Sequence, residues 1–286
     1  MAVFQALIDI TGKADNYEDS KELLIKKLNS FLMDFKKEEL CLTKSQAKIK
    51  DFDEVILLRD FATDLWKEIL MPELREKKSN PCNSVIQGLL NRFLIQVRET
   101  LFLLAHNMGL SAISNVRLFM ESYAITKYII DKGDAEAQRF MDYYHYQYCL
   151  ATKTELKPDF IEKYGERTKS NHFYSIPYGW CSDEKVTGEK LISKVGSAEL
   201  LDNYHLTCNY IHASPYSTYH VVVADDPTSP ISSLFLIDCI RKVTFDLLHL
   251  LLEYYFDEKK RKPYMILLSM LVPDLNSIKT EELQNV

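Results

Sequence analysis

The sequence has few of the residues that interrupt helices. It contains 8 glycines and 9 prolines in 286 residues, about half the share of roughly 12% that these two residues have in average chains. It also has no run of about 18 uncharged apolar residues, and Met1 to Gln5 has neither a basic segment nor an apolar one. We therefore expect a helix-rich cytoplasmic protein with no membrane segment and no signal peptide.

Metal-binding and nucleotide-binding signatures are also missing. The six cysteines lie at least 27 residues apart, so no CxxC pair or Cys/His ligand pair occurs. No HExxH, glycine-rich phosphate loop or GxSxG is present. The sequence therefore predicts reduced, mostly buried thiols, with no metal and no cofactor.

The charge balance is acidic. A formal net charge of -6 and a pI near 5.7 disfavour a protein coated in the basic surface that duplex DNA requires. Any contact with nucleic acid is expected to be local.

Apolar residues recur at helical spacing along most of the chain, which predicts an all-α bundle of long antiparallel helices. One irregular insertion loop is expected at 170–188, and an extended connection at 219–224. We interpret residues 1–80 as an N-terminal helical extension and 81–286 as a bundle domain, together forming one continuous globular unit. Helices are predicted over 17–38, 45–76, 85–106, 113–130, 134–156, 197–212 and 230–255.

Two polar signatures interrupt this apolar pattern. The first runs Arg-Leu-Phe-Met-Glu-Ser over 117–122, and the second runs Tyr-His-Leu-Thr-Cys-Asn-Tyr-Ile-His-Ala-Ser over 204–214. In the second signature, His205 and His212 lie seven apart on one stripe with apolar flanks. Both histidines are therefore expected to be partly buried.

The spacing allows residues of the two signatures to meet inside the bundle. Arg117 and Glu121 are four residues apart and share one helix face. Together with His212 they could handle a phosphate group. They could equally form a buried structural network that fixes the helix register. The residues alone leave both interpretations open.

The pattern Arg-x-x-x-Glu-Ser, followed by Tyr-x-x-x-Cys-x-x-x-His-Ala-Ser, resembles an uncharacterised family of bacterial all-helical proteins known only as a domain of unknown function. The resemblance covers roughly residues 85–255. The layout also resembles, more distantly, HEPN-type bundles. The chain departs from the usual HEPN motif by having Leu206, Thr207 and Cys208 where that motif places an arginine.

The HEPN resemblance implies a metal-independent endoribonuclease of bacterial defence, acting on single-stranded or structured RNA. It implies His212 as general acid or base, Arg117 on the scissile phosphate and Glu121 as their orienting group. The implied substrate-binding or supporting residues are Tyr204, His205, Cys208, Asn209 and Ser214.

The alternative is a non-catalytic interaction or scaffold protein whose Arg/Glu/His set is structural, with a partner on the helical surface or on the loop at 170–188. Tyrosine-rich faces such as 143–148 favour a homodimer, although they could also stack the bases of a single strand. The basic run 259–262 could contact phosphate, but it is interpreted as the cationic C-terminal end of the last long helix, where cations complement the helix dipole.

Overall fold

The computed structural model describes residues 17–44, 52–71, 80–169, 177–183, 186–212, 215 and 233–271. These ranges contain ten α-helices and no strand, which confirms the predicted all-α class. The predicted extended connection at 219–224 lies outside the described residues. The helices are α1 (Tyr17–Glu38), α2 (Asp53–Asp64), α3 (Pro81–Ala105), α4 (Gly109–Lys132), α5 (Asp134–Thr152), α6 (Pro158–Lys169), α7 (Gly188–Val195), α8 (Ala198–Ile211), α9 (Ser233–Tyr255) and α10 (Glu258–Leu271).

The chain forms two compact units, each assembled from separate segments. Unit 1 comprises 1–73, 94–119 and 207–286, and unit 2 comprises 74–93 and 120–206. Three of the unit boundaries fall inside helices, namely α3, α4 and α8. The predicted division of the chain at residue 80 stays a prediction.

In unit 1 the core forms around α2 and α9. Helix α9 packs against α2 and α10, and α1 packs against α2. Arg241 of α9 donates to Glu54 at the start of α2 over 3.0 Å. The ammonium of Lys36, a buried residue of α1, lies 2.5 Å from Asp53. Acidic residues in the first turn of α2 thus bind cations from two other helices, and they also suit the positive end of the helix dipole.

A π-helical segment, Leu65–Leu70, directly continues α2. The side chain of Trp66, near its start, is buried in the core. The predicted helix over 45–76 is therefore confirmed in its described part, while its two ends lie outside the described residues.

The basic run 259–262 differs from its prediction. Helix α9 ends at Tyr255, and the run belongs to the first turns of α10. The Asp257 carboxylate accepts the backbone N–H of Lys260 at 2.9 Å and thereby caps the start of the new helix. The interpretation of these cations as the C-terminal end of the last long helix is therefore wrong.

In unit 2 the connection between α4 and α5 is made at Gly133. Its φ of 80° lies in the left-handed region, and its N–H donates to the Ile129 carbonyl at 2.8 Å. Asp142 of α5 then holds α6, because its carboxylate accepts from Lys163 at 2.8 Å and from Tyr164 at 2.6 Å. Burial opposes ionisation of Asp142, but these donors outweigh it and lower the pKa of the carboxyl.

All six cysteines are free thiols, and four of them are buried. This confirms the prediction of unpaired, mostly buried thiols. The exceptions are Cys41, which is exposed, and Cys208, which is partly buried.

Candidate functional site

The two polar signatures meet in unit 2 through Glu121 and Tyr204. Helix α4 carries Glu121, and α8 carries Tyr204. The Tyr204 hydroxyl donates a hydrogen bond to Glu121 Oε1 at 3.0 Å. Tyr204 is only 4% exposed, whereas Glu121 is partly exposed. The phenol therefore fixes the carboxylate from the buried side.

A third element, the start of α7, lies against this pair. A Cβ atom placed on Gly188 would stand 2.6 Å from Tyr204 Oη, 3.1 Å from Tyr178 Oη and 3.3 Å from Glu121 Oε1. The first of these distances is shorter than any ordinary Cβ contact, so a side chain at position 188 would have to displace the Tyr204 phenol. We call Glu121, Tyr178 and Tyr204, gathered around Gly188, the acid–phenol cluster.

The environment of the acid–phenol cluster suits a negative charge. Gly188 is the first residue of α7, whose N-cap Thr187 accepts the backbone N–H of Lys190 at 3.2 Å. The positive end of the helix dipole thus lies beside the Glu121 carboxylate. The cluster holds a carboxylate and orients a phenol, which fits either a positioning role or a structural one.

A short loop, 177–183, supplies Tyr178 and is bound to α5 by two hydrogen bonds. The buried Glu136 carboxylate accepts the backbone N–H of Ser182 at 2.5 Å. Arg139 Nε donates to the Trp180 carbonyl at 3.3 Å. These bonds hold the backbone of the loop against the helix.

The side chain of Trp180 anchors the same loop. Its ring is buried edge-on against Tyr128 and Phe140, with ring centroids 5.8 and 4.9 Å away. Part of the predicted irregular insertion at 170–188 is therefore a firmly packed loop, while residues 170–176 lie outside the described part of the chain.

Asp183, the last residue of the loop, accepts hydrogen bonds from three donors. Its carboxylate accepts from Tyr128 at 3.0 Å, from Lys132 at 3.3 Å and from Lys194. The Lys194 hydrogen bond is the largest of the effects that lower the pKa of Asp183 to about 2. Burial raises the pKa of Tyr128, so its hydroxyl stays a proton donor. Sequence reasoning missed this group, because its members are far apart in sequence and share no spacing pattern.

The proposed general acid or base, His212, belongs to unit 1 together with Arg117. Arg117 on α4 is partly exposed, and His212 is exposed. Helix α8 ends at Ile211, and the backbone N–H of His212 donates to the Cys208 carbonyl at 3.2 Å. The predicted partial burial of His212 is wrong, because the residue follows the last turn of the helix.

The supporting residues of the second signature are spread around α8. Asn209 is exposed and Cys208 is partly buried. Ser214 lies outside the described residues. Tyr204, a member of the predicted set, contacts the first signature through Glu121.

His205 also differs from its prediction. It is exposed on α8, and its Nε2 lies 3.1 Å from Glu189 on α7. Tyr204, the preceding residue, lies on the buried side of this turn of the helix. The predicted partial burial of His205 is therefore wrong, and the residue forms a surface pair with Glu189.

Comparison with known protein families assigns the chain to one of them. A model described as a family of unknown function (DUF5677) matches residues 83–229, about half of the chain and both polar signatures. The chain belongs to this family. The predicted resemblance to an uncharacterised family is thereby confirmed, and the DUF5677 region contains every residue of the acid–phenol cluster.

No curated protein and no solved structure matches the chain. Within the described residues, no helix is both long enough and apolar enough to cross a membrane. In the same part of the chain, no group of three or more His, Cys, Asp or Glu side chains is arranged to hold a metal ion.

Proposed function

We propose that this DUF5677 protein is an RNA-targeting effector that cleaves RNA without a metal, with His212 and Arg117 as its central residues. The observation that supports this proposal most is that His212 and Arg117 belong to the same compact unit and both reach solvent. A histidine sealed in the core would have favoured a purely structural role. The proposal implies a cytoplasmic protein acting on single-stranded or structured RNA, in bacterial defence.

The chemistry uses the nucleophile that RNA itself carries. The ribose 2′-oxygen attacks the adjacent phosphorus, the bond to the 5′-oxygen breaks, and a 2′,3′-cyclic phosphate remains. His212 removes the proton of the attacking 2′-hydroxyl or donates one to the leaving 5′-oxygen, and water exchanges the other proton, because an imidazole nitrogen can accept or donate a proton. Arg117 offsets the negative charge that accumulates on the phosphate oxygens.

Glu121 has a supporting role in this proposal. It lies one helical turn after Arg117 on α4, and Tyr204 holds its carboxylate at 3.0 Å. Glu121 thus fixes the part of α4 that follows Arg117. The residues proposed to support the histidine or to contact RNA are Tyr204, His205, Cys208 and Asn209.

A second candidate is a non-catalytic interaction protein. The observation that favours it is the acid–phenol cluster, in which Tyr204 binds Glu121 and the backbone of Gly188 closely approaches both side chains. Under this candidate, Glu121 stabilises unit 2 and has no part in any reaction.

The test is incubation of the purified protein with mixed single-stranded and structured RNAs in excess EDTA, followed by analysis of the fragment ends. We expect 2′,3′-cyclic phosphate ends with the wild type, none with His212→Ala, and strongly reduced cleavage with Arg117→Ala. His249→Ala is the matched control, because His249 belongs to the same unit and pairs with Glu253 on α9. It should cleave like the wild type.

No cleavage by the wild type on any RNA would move the conclusion to the interaction protein. Cleavage that persists unchanged in His212→Ala would contradict the proposed role of His212, because the activity would then come from another residue or from a contaminant. Thermal unfolding of each variant separates lost chemistry from lost folding.

A further inference from the structure

The outer face of α5 carries two large exposed aromatic side chains. Tyr144 is 70% exposed and Tyr148 is 52% exposed. They lie one turn apart with ring centroids 6.5 Å from each other. Gln147 and Ala151 are exposed beside them. We call these four residues the tyrosine face.

The tyrosine face is not needed to hold α5 in unit 2. The opposite side of the helix does that, where Tyr143, Tyr146 and Cys149 are buried. Tyr146 stacks on Phe160 of α6 with ring centroids 5.6 Å apart. The two exposed tyrosines lie outside this core and leave apolar ring surface in water.

The tyrosine face also lacks charge. No Asp, Glu, Lys or Arg occurs over residues 143–152, although the whole chain has a net charge of -6. The carboxylate that precedes this stretch, Asp142, is already bound by two donors from α6. The cation that follows it, Lys153, comes after the last turn of the helix.

We propose that the tyrosine face binds a second copy of this chain, face to face about a two-fold axis. In such an interface the same surface of both copies is in contact. A charged residue on it therefore faces either a residue of opposite charge or one of the same charge. A charge-free face meets itself without repulsion, and its tyrosines provide ring pairs and hydroxyl donors. Each copy carries a net charge of -6, so a face without charge lets two copies approach without adding to their repulsion.

A single nucleic-acid strand fits this face less well. Proteins that stack bases combine aromatic rings with cations that follow the phosphates. The tyrosine face has rings and no cation. The dimer contact does not depend on RNA cleavage by His212, which belongs to the other unit.

The tyrosine face offers only part of the area of a standard interface. An aromatic side chain buries roughly 150–250 Å², and the two partly exposed tyrosines together offer roughly 250 Å² of that to a partner. A standard interface takes about 800 Å² from each side. The tyrosine face therefore supplies the centre of an interface, and the dimer is expected to be weak and concentration-dependent.

The test measures the oligomeric state of the full chain by sedimentation over a range of concentration and salt. Two double variants introduce opposite charges on the face, Tyr144→Glu with Tyr148→Glu and Tyr144→Lys with Tyr148→Lys. Both positions are exposed, so the variants are expected to keep the wild-type circular dichroism. Tyr254→Glu and Tyr254→Lys are the matched controls, because Tyr254 is an exposed tyrosine on α9 of unit 1.

We expect the wild type to dimerise more tightly as salt rises, because salt screens repulsion between the two acidic chains. Each double variant should be monomeric alone, and an equal mixture of the two should dimerise again. Only a face that meets itself gives this rescue by mixing. The Tyr254 controls should dimerise like the wild type.

Three results would overturn the proposal. The first is a wild type that stays monomeric at its highest soluble concentration. The second is a dimer that the double variants do not weaken. The third is a monomer that binds a fluorescent single-stranded RNA through Tyr144 and Tyr148 with affinity that falls as salt rises, which would assign the face to nucleic acid.

Discussion

The Tyr204 hydroxyl hydrogen-bonds to the Glu121 carboxylate at 3.0 Å, although the two residues are 83 positions apart in the sequence. The contact joins α4 to α8, the two helices that carry the polar signatures. Because Tyr204 is buried, removing its partner leaves a hydroxyl with little access to water. The contribution of this pair to the free energy of unfolding can therefore be measured directly with variants of the two residues.

Tyr204→Phe should lower the free energy of unfolding by about 1–2 kcal/mol, since a hydrogen bond to a charged group is lost while the ring remains. Urea unfolding of Tyr204→Phe, Glu121→Ala and the double variant measures the coupling between the two side chains. We expect about 1 kcal/mol of coupling. Strictly additive effects would mean that the hydrogen bond contributes nothing to stability.

Two glycines test the packing of the acid–phenol cluster. Gly188→Ala should lower the free energy of unfolding by about 1–3 kcal/mol, because its methyl group would push Tyr204 and Tyr178 aside. Gly88 on α3 is the matched control, since an added Cβ there meets nothing within 4 Å. Gly88→Ala should raise stability by about 0.5–1 kcal/mol. Thermal melts of the two variants give the comparison, and a shift of the same sign in both would contradict the packing at Gly188.

Acid stability should depend on Asp183. Its pKa is lowered from 3.8 to about 2 in the folded protein, chiefly by Lys194. Its contribution to stability is thus fully present above the unfolded value of 3.8 and is lost as the pH falls towards 2. The free energy of unfolding should fall as the pH drops between these two values, and Asp183→Asn should make that fall less steep. Urea unfolding at a series of pH values measures this acid limb of the stability curve.

Lys194→Gln provides the control for Asp183, because it keeps the carboxylate and removes its strongest donor. It should reduce the acid slope less than Asp183→Asn does. An acid limb that both substitutions leave unchanged would show that other carboxylates set the acid stability of the protein.

Glu136 should be important for stability, because its carboxylate is 3% exposed and accepts the Ser182 N–H. Glu136→Ala should lower the free energy of unfolding by about 2–4 kcal/mol, because it leaves a cavity and an unsatisfied N–H. Glu136→Gln keeps an acceptor and should have a clearly smaller effect in the same urea titration.

Trp180 reports on the loop that Glu136 holds. The chain has two tryptophans, Trp66 and Trp180, so a Trp66→Phe background isolates the signal of Trp180. We expect Glu136→Ala to shift the Trp180 emission to the red, as the indole leaves its buried position. An unshifted emission would mean that Phe140 and Tyr128 hold the loop without Glu136.

Periodicity predicted the long helices well, because each has a continuous apolar stripe. The segments predicted at 17–38, 134–156 and 197–212 appear as α1, α5 and α8 within a few residues. Helices α6, α7 and α10 were missed. Helix α6 has few apolar residues among many charged ones, and α7 has only eight residues, too few to show a repeat.

The candidate site was less predictable. Spacing placed Arg117 and Glu121 on one helix face, but it could not show that Tyr204 binds Glu121, because that contact depends on how α4 and α8 pack. Spacing also failed for His205 and His212. A stripe indicates which residues align, but it does not show which side faces the core or where the helix ends.

The discontinuous make-up of unit 1 has a consequence for synthesis on the ribosome. Its core pairs α2 with α9, so the nascent chain must wait for residues 233–255 before this core can close. Unit 2 is complete in sequence by residue 206. The surface of α2 that packs against α9 therefore stays uncovered during most of translation. Chaperones have the longest opportunity to bind at that surface.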